Sequence, residues 1–279
     1  MPVAALTPAH VAVVTGGASG IGLAAARRFA AMGLKVCLAD RAGERLDQAA
    51  ASLAAAGAEV LAVPTDVSRR EDVVRLQAAV LDRFGAVHVL MNNAAVQPGS
   101  ELFGPLATWE QVLGVNLWGV IHGTQVFAPA MVEAGEPGLI INTGSKQGIT
   151  TPPGDPAYNV AKAGVKVVTE ALQHELRGIE GCRITAHLLI PGFVFTALTA
   201  RGRTEKPAGA WTPEQTVEFM LDSLERGDFY ILCPDNDVPR SLDERRILWA
   251  AQDITENRPP LSRWHKDWQD RFQAWLKRD

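Results

Sequence analysis

Apolar residues in this chain come in short unbroken runs, such as Val11-Ala12-Val13-Val14, set between longer stretches with helical spacing. A strand that is apolar on both faces is covered on both faces, which is the pattern of a parallel sheet between two helical layers. Seven such strands are predicted: His10–Thr15, Lys35–Asp40, Glu59–Pro64, Val87–Met91, Gly138–Thr143, Arg183–Leu189 and Phe229–Leu232. Helices are predicted over Gly20–Met32, Gly43–Ala56, Arg69–Phe84, around Trp109–Val132, Pro156–Arg177 and Pro213–Glu225. Strands alternating with helices imply right-handed crossovers, hence a doubly wound α/β fold with seven parallel strands and helices on both faces. Ligands of such sheets bind at the carboxyl ends of the strands, so the residues just after each strand carry the functional reading.

Past Cys233 the pattern changes. Residues 234–279 hold Pro234, Pro239, Pro259 and Pro260 with Trp249, Trp264, Trp268 and Trp275, and predict two short helices, Ser241–Asp253 and Ser262–Lys277. Spacings of four and seven put Trp264, Trp268 and Trp275 on one helix face. The segment reads as a helical extension packed on the main domain, either a subunit contact or a lid.

Composition narrows the function. The chain has 279 residues, 47% apolar, with a formal net charge of −4. No basic stripe is present, so nucleic acid is not an expected partner. Neither a leader pattern nor eighteen uninterrupted apolar residues occurs, which leads to the expectation of a cytoplasmic protein with no membrane partner. Cys37, Cys182 and Cys233 are widely spaced and read as reduced thiols; the six histidines are scattered, and no metal site is expected.

Directly after the first strand, Thr15-Gly16-Gly17-Ala18-Ser19-Gly20-Ile21-Gly22 opens a helix. Glycines permit a tight turn, and a helix N-terminus offers free N–H groups to a pyrophosphate. Residues 1–233 therefore read as one Rossmann-type dinucleotide-binding and catalytic domain. Asp40, eighteen residues beyond Gly22 at the end of the second strand, can accept from ribose hydroxyls and repel a 2′-phosphate, which favours NAD over NADP. Arg41 beside it pairs with Asp40, stacks on adenine, or accommodates a phosphate.

Tyr158 and Lys162, at i and i+4, share a helix face, and Ser145 lies thirteen positions before the tyrosine. An ammonium beside a phenol favours the phenolate and lets it exchange a proton near neutral pH, as alcohol oxidation or carbonyl reduction requires. Gly144-Ser145-Lys146-Gln147-Gly148 is formally a G-x-S-x-G match, but no histidine follows in a hydrolase context.

Taken together, the Thr15–Gly22 turn, Asp66-Val67, Asn92-Asn93-Ala94-Ala95, Asn116, Ser145, Tyr158, Lys162 and Pro191-Gly192-Phe193-Val194-Phe195-Thr196 resemble the short-chain dehydrogenase/reductase family from about His10 to Leu232. The resemblance implies that Asp66 and Val67 hold adenine and that Asn93, Ala94 and Thr143 line the cofactor cleft. It also places Pro191, Gly192, Val194 and Thr196 beside the nicotinamide. Tyr158 would then be the proton exchanger, Lys162 its activator and a ribose contact, Ser145 the group holding the substrate oxygen, and Asn116 a link in a relay to solvent. Read without the resemblance, Asp66 is a helix cap and Asn116 bends its helix or satisfies a backbone group. Ala95, Gly144, Lys146 and Gln147 depart from the family pattern; the last two read as an exposed turn or as contacts for a polar or anionic substrate group. The enoyl-reductase branch, which spaces its Tyr and Lys more widely, is disfavoured.

The resulting expectation is an NAD-dependent oxidoreductase for a secondary alcohol or ketone. Phe193, Phe195, Trp211, Phe219 and Tyr230 point to a cyclic or aromatic substrate. Alternatives are a catalytically silent dinucleotide sensor or scaffold, an imine reductase, or an epimerase. Relatives pair through the helices carrying Asn116 and Tyr158, so a homodimer or homotetramer is expected.

Overall fold

The computed structural model describes residues 3–277. In chain order, its elements begin with β1 (Val11–Thr15), α1 (Gly20–Ala31), β2 (Lys35–Asp40), α2 (Glu44–Ala55), β3 (Val60–Pro64), α3 (Arg70–Phe84) and β4 (Val89–Asn92). Next come α4 (Leu106–Leu113), a π-helical turn over Gly114–Trp118, α5 (Gly119–Ala134), β5 (Gly138–Thr143), α6 (Gln147–Thr150), α7 (Pro156–Gly178) and β6 (Ile184–Ile190). The chain closes with α8 (Ala197–Ala200), α9 (Pro213–Arg226), β7 (Tyr230–Leu232), α10 (Arg240–Thr255), two 3-10 turns and α11 (Gln269–Leu276).

Local chemistry sets these limits. Gly85, Gly135 and Gly227 end α3, α5 and α9 in the left-handed conformation, which costs glycine least. Pro156 sits in the first turn of α7, where its missing N–H has no helical partner to lose. Thr212 and Gln215 form a reciprocal capping box at the start of α9.

All seven strands are parallel, in the order β3-β2-β1-β4-β5-β6-β7. The order reverses between β1 and β4, where a crevice opens at the strand ends. Apolar side chains of alternate strand positions feed two layers. Leu38, Met91 and Ile141 pack with Phe29, Leu46 and Met220 on one face, and Val13, Leu90 and Ile140 with Leu76, Phe127 and Leu172 on the other. Every strand lies within two residues of its predicted limits.

Two predicted helices differ. The stretch predicted around Trp109–Val132 starts at Leu106 and contains the π turn, a register change that turns Asn116 inward. The stretch predicted as one helix over Ser262–Lys277 is two 3-10 turns, Ser262–Trp264 and Lys266–Trp268, followed by α11. Extended backbone at His265 (ψ 128°), whose ring accepts from the Asp267 N–H, interrupts it. Trp264, Trp268 and Trp275 therefore do not share a helix face. Trp249 of α10 gathers Trp268, Phe272 and Trp275 edge-on at 6.4, 5.2 and 5.5 Å between ring centroids, while Trp264 stands apart under Arg263 at 4.7 Å.

Trp249 is 3% exposed, donates its indole N–H to Ser262 Oγ at 2.7 Å, and carries Arg258 over its ring at 4.0 Å. Trp249→Ala is expected to cost about 3–5 kcal/mol, the range for truncating a buried aromatic, read as a lowered urea midpoint. An unchanged midpoint would show that the aromatic cluster does not hold the C-terminal segment.

Candidate active site

The site starts where β1 ends. Thr15 Oγ1 accepts from the N–H groups of Asn93 and Ala94 at 2.9 and 3.2 Å, and Asn93 Nδ2 returns a bond to the Thr15 carbonyl at 3.1 Å. One hydroxyl thus joins the ends of β1 and β4 on either side of the crevice. Gly16, at φ +64°, leaves no room for a side chain, since a Cβ would lie 2.8 Å from Ala94 Cα. Gly22 is needed for packing: a Cβ there would lie 2.3 Å from the Gly16 carbonyl oxygen.

Ser19 caps α1 with no side-chain bond, and no acidic residue occupies the first turn. The N–H groups of Gly20, Ile21 and Gly22 find no acceptor among the described residues. Unpartnered N–H groups at the positive end of a helix dipole suit a pyrophosphate.

At one end of the crevice Asp40 accepts from the Ala18 N–H at 3.0 Å and the Arg41 N–H at 2.8 Å, fixing its carboxylate at the edge of the cleft. Asp66 accepts from the backbone N–H and the hydroxyl of Ser68 at 3.0 and 2.7 Å. It therefore acts as a turn cap and lines the cleft as well. The Val67 carbonyl is held by the ring of His122 at 2.9 Å.

At the other end α7 presents Tyr158 and Lys162, with Ser145 following β5. Lys162 Nζ donates to the Thr143 carbonyl at 2.7 Å and lies 5.7 Å from the Tyr158 ring centroid. Burial pushes the Lys162 ammonium down to about 8, because a charge is poorly solvated there. Burial also pushes the Tyr158 phenol up to about 12; Ser145 opposes that shift and the nearby Asp155 carboxylate adds to it. The chain's own groups thus raise the phenol, where the i, i+4 spacing alone predicts a lowered one, because desolvation outweighs the hydrogen bond with Ser145. Asp155 is buried in turn and accepts from Ser100 Oγ at 2.6 Å and from Gln97 Nε2 at 3.1 Å.

Asn116 is fully buried in the π turn, and its carboxamide is spent on Val96: Oδ1 accepts from the Val96 N–H and Nδ2 donates to the Val96 carbonyl, both at 2.8 Å. Its side chain thus satisfies a backbone segment, as expected of the residue without the family resemblance.

These groups line one cleft of about 400 Å³. It brings together Gly16, Ser19, Gly20, Ile21, Asp40, Arg41, Asp66, Val67, Asn93, Ala94, Thr143, Ser145, Tyr158, Lys162, Pro191, Gly192, Val194 and Thr196. Gly22 and Asn116 do not line it. The sequence reading missed Arg45, which joins Arg41 at the Asp40 end, and Glu110, Gln111 and Val115, which reach the cleft from α4 and the π turn. Arg45 lies five positions past Asp40, the second residue of α2, and that spacing was the available signal.

Other expected contacts are absent from the cleft. None of Phe193, Phe195, Trp211, Phe219 and Tyr230 lines it. Trp211 and Phe219 pack together at 5.7 Å against the core, and Tyr230 donates its hydroxyl to Glu170. Lys146 is neither an exposed turn residue nor free for substrate: its ammonium pairs with Asp243 at 2.5 Å and Asp235 at 3.3 Å.

A glycine turn at a helix start, a carboxylate after β2 and a buried Tyr–Lys pair at the switch point define a dinucleotide-dependent oxidoreductase of the doubly wound class. The model of the short chain dehydrogenase family matches residues 10–207, and the chain belongs to that family. It is 34% identical over 263 residues to the 1-deoxy-11-beta-hydroxypentalenate dehydrogenase of Streptomyces exfoliatus, covering 91% of this chain and 94% of the relative. Among solved structures, a short chain dehydrogenase/reductase from Burkholderia phymatum in complex with NAD superposes with a TM-score of 0.82 at 34% identity, covering 91% and 96% of the two chains. An alcohol dehydrogenase from the archaeon Thermococcus sibiricus, complexed with 5-hydroxy-NADP, superposes with a TM-score of 0.70 at 29% identity over 77% and 90%. The chain is accordingly an NAD(P)-dependent dehydrogenase acting on a hydroxyl-bearing substrate.

The Lys162 shift has a sign that can be measured. Because its folded value of about 8 lies below the ordinary 10.5, the unfolded chain binds more protons between those values and stability rises with pH across the window. The burial cost is fully present below pH 8. Lys162→Met is therefore expected to be more stable than the parent at pH 7 in urea titration, with the difference closing toward pH 10.5; a difference independent of pH would contradict the shift.

Proposed function

We propose that the chain is an NAD-dependent dehydrogenase of secondary alcohols, working in either direction with the corresponding ketone, on a cyclic or aromatic substrate. The observation that carries it is the buried Tyr158–Lys162 pair facing Ser145 at one end of a cleft whose other end is Asp40.

The cleft's residues fit a dinucleotide by their donor set. The N–H groups of Gly20 and Ile21 would take the pyrophosphate, Asp40 the adenosine ribose hydroxyls, Asp66 and Val67 the adenine, and Lys162 the second ribose. NAD, when bound, supplies the hydride acceptor. Ser145 holds the substrate oxygen by donating a hydrogen bond, and Tyr158 takes the hydroxyl proton. For that, the phenol must descend from about 12. Lys162, charged below about pH 8, is the cation within reach. Its bond to the Thr143 carbonyl fixes where that charge sits.

The preference for NAD rests on Asp40, held by two backbone N–H groups at the spot where a 2′-phosphate would come. Arg41 and Arg45 lie at the same end, so removing the carboxylate leaves two cations facing the pocket. Support for a cyclic or bulky substrate comes from the apolar wall of Val96, Val115, Val194 and Leu198 and from the Streptomyces relative, named for a hydroxypentalenate. Pairing of subunits is supported by Trp118, Val160 and Val167, exposed apolar side chains on the π turn and α7.

Following absorbance at 340 nm with NAD and a panel of cyclic and aromatic secondary alcohols, Tyr158→Phe is expected to lose at least about 10²-fold in kcat while still binding NAD. Turnover retained in that variant would remove Tyr158 as the proton acceptor. Asp40→Ser is expected to lower the ratio of kcat/KM for NAD over NADP by about 10–100-fold, the worth of a charge-assisted contact; an unchanged ratio would place cofactor choice elsewhere. Light scattering on the eluted protein is expected to give a dimer or tetramer, and Val167→Glu a smaller species; a monomeric parent would refute the pairing.

A further inference from the structure

A second cavity, of about 270 Å³, lies on the far side of the segment that carries Ser145. Ile149, Pro152, Leu232, Ile247 of α10 and Trp264 give it a mainly apolar surface, beside the polar Lys146, Gln147, Thr150 and Asp243. Two guanidiniums, Arg246 and Arg263, also line it.

Neither arginine has an ion-pair partner or a hydrogen-bond acceptor among the described residues. Arg246 Nε is buried without a partner. Arg263 is held by its faces, lying over the Trp264 ring at 4.7 Å and the Phe272 ring at 5.4 Å, which leaves its N–H edges free. The nearest carboxylates are already engaged, since Asp235 and Asp243 both pair with Lys146. Three cations thus face two carboxylates, and one positive charge is unmatched. Burial, and then the neighbouring Arg246, push Arg263 down to about 10, with Asp243 opposing, the cost of holding two like charges together partly out of water.

Half-buried guanidiniums without a partner are compensated by an anion, and their planar forks match a carboxylate. Apolar walls and the nearby Asp243 disfavour a strongly hydrated polyanion. We infer that this cavity binds the carboxylate of a compact apolar acid, with Arg246 and Arg263 on the carboxylate and Ile149, Ile247 and Trp264 against the hydrocarbon. Gln147 is two residues from Ser145, at most about 7 Å along the chain. The acid is therefore either the far end of the alcohol substrate, which rests on the dehydrogenase reading above, or a separate molecule that acts on the serine loop from behind.

The test is calorimetric titration of the full chain, with NAD present, using cyclohexanecarboxylate and benzoate, and cyclohexanecarboxamide as the neutral control. Both acids are expected to bind and the amide to bind at least about tenfold more weakly; Arg246→Gln and Arg263→Gln should each weaken the acids by at least about tenfold. Ile247→Trp, which fills the cavity and leaves the charges in place, should do the same and guards against misfolding of the arginine variants. No heat from either acid up to about 10 mM, equal binding of the amide, or unchanged affinity in the variants would overturn the site. Competition with a neutral alcohol substrate would make the acid part of the substrate; inhibition or activation without competition would make it a separate ligand. Because binding is measured directly, the arginine site stands or falls even if no alcohol is turned over, an outcome that would count against the dehydrogenase reading alone.

Discussion

Everything at the active site depends on seven strands pointing the same way. In a fully parallel sheet each strand leaves at the same edge, so Thr15, Asp40, Asp66, Asn93, Ser145 and Pro191, though scattered over most of the chain, meet along one line. Reversal of strand order between β1 and β4 opens that line into a crevice. The Thr15 hydroxyl spans the reversal, so the gap has a fixed width at its base.

Lys162 illustrates how a costly charge is placed. A buried chain of side-chain bonds runs from Asn92 on β4 to Asn142 on β5 at 2.8 Å, and from Asn142 to Thr169 on α7 at 3.0 Å. These directional bonds tie β4, β5 and α7 in one alignment, with Asn92 Oδ1 left as the one acceptor of the chain without a partner among the described residues. Gly123 lets α5 close over it, since a Cβ there would fall within 2.0 Å of Asn92 Oδ1. With α7 so aligned, the Lys162 ammonium arrives under the Thr143 carbonyl. The stability lost by burying it is offset by layers of apolar contact on both faces of the sheet.

Most of the fold and the cofactor half of the site were legible in the sequence because their signals are local. Apolar runs mark strands buried on both faces, a glycine turn between strand and helix marks a phosphate cradle, and i, i+4 spacing aligns Tyr158 with Lys162. What escaped was decided at long range. Lys146 meets Asp235 across 89 positions, and no spacing rule links them. His265 breaks a helix that periodicity alone extends through it. The five aromatic residues assigned to the substrate were placed by proximity in the chain, yet none lines the cleft, and tertiary packing turned Trp211 and Phe219 to the core and Tyr230 to the surface.

Asp235 accepts from the Phe193 N–H at 3.1 Å as well as pairing with Lys146. Both contacts crowd Gly192, where a Cβ would lie 2.5 Å from the Asp235 carboxylate and 2.7 Å from the Lys146 ammonium. One aspartate from beyond the last strand therefore bridges the serine loop and the turn that follows Pro191–Gly192, tying two walls of the cleft together. The C-terminal segment is thus part of the frame of the catalytic chamber, and cutting the chain after β7 would remove the tie between those two walls.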